Sequence, residues 1–238
     1  MLLLFDIDAT LVRVGYAIGR TAFADSFIRC FGVDPSSVLE GFSFAGRTDR
    51  SIVRDVAVAS GLDPSIADHG FDDYRRDLER TMMPLITPEV TTVLPGVAEL
   101  LTQLNQQPWH RALVTGNIEA IAYHKLLAGG LANTFRVGAF GCEFADRALL
   151  PPLAIARAND AFGTSYSALN ALVIGDAPAD IACAHANGIP CLAVATGEFT
   201  VDELSHADAV LPSFADVHAA MQTIARFAAP PDRIFVPS

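Results

Sequence analysis

The chain of 238 residues is 51% apolar and 18% charged, enough apolar surface for a sizeable core and too few charges for long disorder. Its formal net charge of -11 argues against non-specific binding to nucleic acid or to an acidic membrane, and no apolar run approaches the ~20 residues that cross a bilayer. An anionic ligand must therefore find local positive charge in a metal ion, in helix N-termini, or in a few Arg and Lys.

The chain opens MLLLFDIDATLV, an apolar run that meets Asp6 at once and so does not read as a signal peptide. Cys30, Cys142, Cys183 and Cys191 are scattered without CxxC spacing, as expected of reduced cysteines in a cytoplasmic protein. After the strand at residues 2–5 the rhythm changes. From 14 to 88 the pattern is helical, with stretches at 17–31, 49–60 and 64–83 and no convincing buried strand. An insertion of that kind directly after the first strand reads as a helical cap over the strand ends.

Pro84, Pro88 and Pro95 mark the return to a second rhythm. Apolar strands at 112–114, 137–140, 171–174 and 191–194, and a weaker one at 209–211, alternate with helices at 97–104, 118–127, 152–162 and 180–186. Short apolar strands without alternation, separated by helices that stop at Gly, predict a doubly wound α/β core with a parallel sheet covered on both faces. The expected division is a core of 1–13 and 89–238 with a cap of 14–88. The tail at 230–238 holds three prolines and is expected to run extended over the surface.

Residues two apart at a strand end share a face, so Asp6 and Asp8 can look into one site at the carboxyl edge of the sheet, where open α/β folds bind ligands. Two more strands end on polar residues: Thr115-Gly116-Asn117 follows Val114, and Asp176 follows Gly175, with Asp180 in the first turn of the helix that Pro178 opens. Each piece alone has an ordinary explanation as a turn, an N-cap or a first-turn acid. Three strands delivering polar groups to one edge suit a hard divalent cation bound with a phosphate.

Taken in order, Asp6-Ile7-Asp8-Ala9-Thr10-Leu11, Thr115-Gly116-Asn117 and Gly175-Asp176-Ala177-Pro178-Ala179-Asp180 resemble the motifs of the haloacid dehalogenase superfamily. Gly46-Arg47-Thr48-Asp49 resembles a cap segment of its phosphoglycolate phosphatase-like branch. The resemblance implies a Rossmann-like core with a helical cap and a phosphatase that passes through an aspartyl-phosphate. Asp6 would be the nucleophile, Asp8 the general acid and base, and Thr115, Gly116 and Asn117 the cradle of the phosphoryl group. Mg²⁺ would be held by Asp6, the Asp8 carbonyl and Asp176, with Asp180 as an outer acid. The third motif should supply a basic residue. Arg147 is the candidate, and Lys125 the alternative, expected on a helix surface. In the cap, Arg47 could reach the substrate, and Asp49 is expected to cap or orient the helix after it. Ala9 stands where the family usually has Gly.

The implied partner is a small phosphorylated metabolite, with no nucleic acid or membrane partner and a monomer or homodimer as the assembly. A dehalogenase would lack Asp8, and a phosphonate hydrolase would want a cap lysine, which residues 14–88 do not contain. A sugar-phosphate mutase shares the catalytic residues, and a weakly catalytic scaffold used for binding is the reading from another class.

Overall fold

The computed structural model describes residues 1–228; the tail expected to run extended at 230–238 lies outside them. Six parallel strands form the core sheet: β1 (Leu2–Phe5), β4 (His110–Thr115), β5 (Gly138–Phe140), β6 (Ala171–Gly175), β7 (Cys191–Val194) and β8 (Ala209–Leu211). Their order is β5-β4-β1-β6-β7-β8, which puts the N-terminal strand in the middle. There Phe5 registers with Leu113 on one side and with Ile174 on the other.

Successive side chains of a strand go to opposite faces, and here both faces are buried. Leu3, Phe5, Leu113, Leu172 and Ile174 pack on one side with α5 (Val97–Leu104), α6 (Glu119–Ala128) and α9 (Val217–Ala228). Leu2, Leu4, Val114 and Val173 pack on the other with α7 (Leu150–Phe162) and α8 (Pro178–His185). That is why the strands read as apolar runs, and it gives the doubly wound parallel sheet expected from them.

The helices between the first strand and the rest are α1 (Tyr16–Phe31), α2 (Ser36–Leu39), α3 (Asp49–Ala59) and α4 (Pro64–Met82). They share an apolar cluster around Phe23, Phe27, Val53, Phe71 and Tyr74, which Ile118 and Ile121 at the start of α6 join from the core. An antiparallel ribbon frames them, β2 (Val12–Val14) against β3 (Thr91–Val93), with Val12 opposite Val93. No strand was expected in either segment. Three residues are too few for alternation to show, and the pairing joins positions far apart in sequence.

The first turn of α3 docks on the core through main-chain groups. Asp49 N–H donates to Gly116 O at 2.7 Å and Arg50 N–H to Gly141 O at 3.1 Å. Thr48 Oγ1 donates to Ala145 O at 2.9 Å, and Arg50 Nε to Cys142 O at 3.1 Å.

Candidate active site

Parallel strands bring their carboxyl ends to one edge, so Asp6 after β1, Thr115 ending β4 and Asp176 after β6 meet there. A cavity of about 470 Å³ opens above them, lined by Asp6, Asp8, Gly116, Asn117, Arg147 and Asp176 from the core and by residues of α1, α3 and α4 from above. Side-chain oxygens of Asp6, Asp176 and Asp180 lie within 4.8 Å of one another, and all three residues are buried.

Arg147 sits among these acids. Its Nη2 donates to Asp6 Oδ1 at 3.1 Å and to Asp180 Oδ1. Asp180 Oδ2 accepts from Ala177 N–H at 3.0 Å, reaching back across the start of α8 as in a capping box. With one oxygen on Arg147 and the other on the backbone, Asp180 stands behind the cavity wall rather than on it. Its place in the sequence reading as an outer acid becomes that of an anchor for Arg147. Burial, then the Asp180 carboxylate, push Asp6 up to about 7, with Arg147 opposing. Burial, then Asp180 and Asp6, push Asp176 up to about 9. Burial works to lower Arg147, but Asp180 and Asp6 outweigh it and raise its pKa. Three buried carboxylates around one guanidinium form a set of hard oxygen donors short of positive charge, which fits a divalent cation.

A second network holds Asp8. Lys125 Nζ donates to both carboxylate oxygens at 2.7 Å and to Asn117 Oδ1 at 2.6 Å, while Asn117 Nδ2 donates to Asp8 Oδ2 at 2.7 Å. Lys125 was expected on a helix surface; it is only 6% exposed and lines the cavity. The signal was present, since Lys125 follows buried Ile121 by four residues and buried Ala122 by three, placing it on the inward face of α6. Thr115 is fully buried and does not line the cavity. Its Oγ1 accepts from Asn117 Nδ2 at 2.7 Å, so it orients Asn117. At Gly116 a Cβ would lie 1.9 Å from Arg47 O, so only Gly admits α3 this close.

Asp49 does not cap the helix it begins. Thr48 does, its Oγ1 accepting from Ser51 N–H at 3.1 Å, while Asp49 Oδ2 accepts from Ile118 N–H at 2.7 Å at the head of α6. Burial raises Asp49 to about 6 against that bond. Arg47 pairs with Asp55 rather than Asp49, stacks 4.8 Å over the Phe42 ring and lines the cavity. Ala9 takes φ 56°, the left-handed region that Gly enters freely. The sequence reading missed Gly197. A Cβ there would lie 1.8 Å from Asp176 Oδ2, so the loop after β7 can wall the acid only as Gly. Thr196-Gly197 beyond an apolar strand repeats the Thr115-Gly116 pattern and was the available clue.

Among the described residues no helix is long and apolar enough to cross a membrane. A phosphoglycolate phosphatase of Pseudomonas syringae pv. tomato is 26% identical over 207 residues, covering 82% of this chain and 70% of its own. The structure of CbbY from Rhodobacter sphaeroides in complex with phosphate is similar at TM-score 0.68 and 20% identity, over 91% of this chain and 95% of that one. The β-phosphoglucomutase of Clostridium difficile is similar at TM-score 0.68 and 14% identity, over 95% and 97%. The family described as haloacid dehalogenase-like hydrolase matches residues 3–194, most of the chain, and the chain belongs to that family.

Proposed function

We propose that the protein is a Mg²⁺-dependent phosphatase of small phosphomonoesters working through an aspartyl-phosphate on Asp6. One observation carries this reading: Asp6, held by Arg147, opens onto the same cavity as Asp8, held by Lys125 and Asn117. An Asp6 oxygen attacks phosphorus while the departing alkoxide takes a proton from Asp8. Asp8 then accepts a proton from the water that cleaves the acyl-phosphate. Arg147 and Gly116 bind phosphoryl oxygens, Asn117 steadies Asp8, Thr115 orients Asn117, and Asp180 orients Arg147. Asp6, the Asp8 carbonyl and Asp176 would hold Mg²⁺, with Asp180 close by; when bound, the ion offsets the repulsion between carboxylate and phosphate. We read residues 14–88 as the cap, supported by the apolar cluster centred on their helices and by the β2–β3 ribbon at its base.

The relative's phosphoglycolate phosphatase name supports the ester class. A panel of phosphate esters with Mg²⁺ tests the reading by release of inorganic phosphate, without transfer to an added sugar phosphate. Asp6→Asn should lower kcat by more than about 10³-fold, and Asp8→Asn by about 10²–10⁴-fold while Mg²⁺ still binds. Full turnover in either variant refutes the assigned role.

A further inference from the structure

Above the polar floor, the cavity is walled by Phe23, Phe44, Ile52, Leu78, Met82 and Ile121. This is the side on which the leaving group must lie, because the floor takes the phosphoryl group. The arginines here each hold a neighbour, while the buried Arg47 Nε has no hydrogen-bond partner among the described residues. Arg47 pairs with Asp55, Arg13 donates to Thr196 O at 2.5 Å, and Arg20 donates to Phe42 O at 2.9 Å and to Leu39 O. Glu198, on the same rim, accepts from Ser43 Oγ at 3.1 Å.

Gly19 gives an independent indication. It lies inside α1, where Gly costs about 1 kcal/mol relative to Ala, and it lines the cavity. Packing does not demand it, since a Cβ there would meet nothing nearer than Met82 Cε at 3.8 Å. What the missing side chain leaves is room. A two-carbon leaving group would fill little of about 470 Å³.

We infer that the substrate's leaving alcohol carries an apolar body, an alkyl chain or a ring. This rests on the phosphatase reading and narrows it to hydrophobic phosphomonoesters, against phosphoglycolate.

Two measurements test it, one of them independent of turnover. Along ethyl, butyl and hexyl phosphate the acidity of the leaving alcohol hardly changes, so kcat/KM reports burial. It should rise roughly threefold to fourfold per methylene and exceed that for phosphoglycolate. A flat series, or phosphoglycolate as the better substrate, overturns the inference. In Gly19→Leu the hexyl-to-ethyl ratio of kcat/KM should fall at least about tenfold as the leucine fills the space, and an unchanged ratio overturns it. By calorimetry with Mg²⁺, hexylphosphonate should bind at least about tenfold tighter than phosphonoacetate. If it does so while no ester is hydrolysed, the apolar subsite stands and the phosphatase reading falls. If phosphonoacetate binds as tightly or more so, the subsite is wrong whatever the turnover.

Discussion

The floor and the roof of the cavity are built from different materials. The floor collects Asp6, Asp8, Lys125, Arg147 and Asp176, with Arg147 bonded to Asp6, Lys125 to Asp8, and Thr10 to Asp176. The roof offers apolar side chains of α1, α3 and α4 with Arg20 and Arg47 among them, and carries on its other face pairs such as Arg75–Glu79, one turn apart on α4. Buried charge is stable only in company, so the floor must be assembled as a unit. The roof can change a wall residue without stranding an ion. In the proposed reading, chemistry falls to the floor and selectivity to the roof.

The largest effect that sharpens this contrast is Arg147→Met. It leaves Asp6 and Asp180 buried without their cation and should cost about 3–5 kcal/mol of stability by urea unfolding. On the roof's outer face Arg75→Met should cost only about 0.3–0.5 kcal/mol. Similar losses in the two would end the distinction.

Next comes the response to pH and metal. Asp6 and Asp176 keep their protons in the fold up to about 7 and about 9, above the ordinary carboxylate range. As pH rises from about 4, the unfolded chain gives up these protons first. The folded state then binds more protons, and metal-free stability falls with rising pH until both sites have ionised. Tm without metal should therefore be lower at about pH 8.5 than at about pH 6. Mg²⁺ at about a hundred times its Kd adds about 2.7 kcal/mol, roughly 5–10 °C in a chain of this size. Because the ion binds ionised carboxylates, its effect should be larger at the higher pH and shrink in Asp176→Asn. A rising metal-free Tm over that interval would contradict the crowding of acids on the floor.

A smaller effect than the loss of Arg147 or the gain from Mg²⁺ concerns the turn between Asp8 and the ribbon. Ala9→Gly should stabilise by about 1 kcal/mol, since Gly occupies φ 56° without the clash that Ala pays there. A lower Tm in that variant would show that the methyl group is useful where it stands.

The floor was largely legible because its acids ride on local patterns. Asp6, Asp8 and Asp176 each follow an apolar strand, and parallel strands leave their ends no other place to meet. Lys125 was misplaced because a lysine in a helix is usually solvated, although its spacing from Ile121 pointed inward. Asp49 was matched to the wrong helix because its partner, the Ile118 N–H, is distant in sequence and local capping rules cannot see it. Thr115 and Asp180 reach the cavity through Asn117 and Arg147, a relay that spacing along the chain does not encode. The β2–β3 ribbon and the contact of Gly197 with Asp176 exist only once the chain is folded.

The bond between Ile118 and Asp49 links two things that look separate. Helix α6 carries Lys125, which grips Asp8, while the head of that helix is tethered to the lid by Asp49. In the proposed reading, a molecule that gained access by prising α3 away would also release the rod that steadies the proton carrier, so that sealing the chamber and arming it would be a single act.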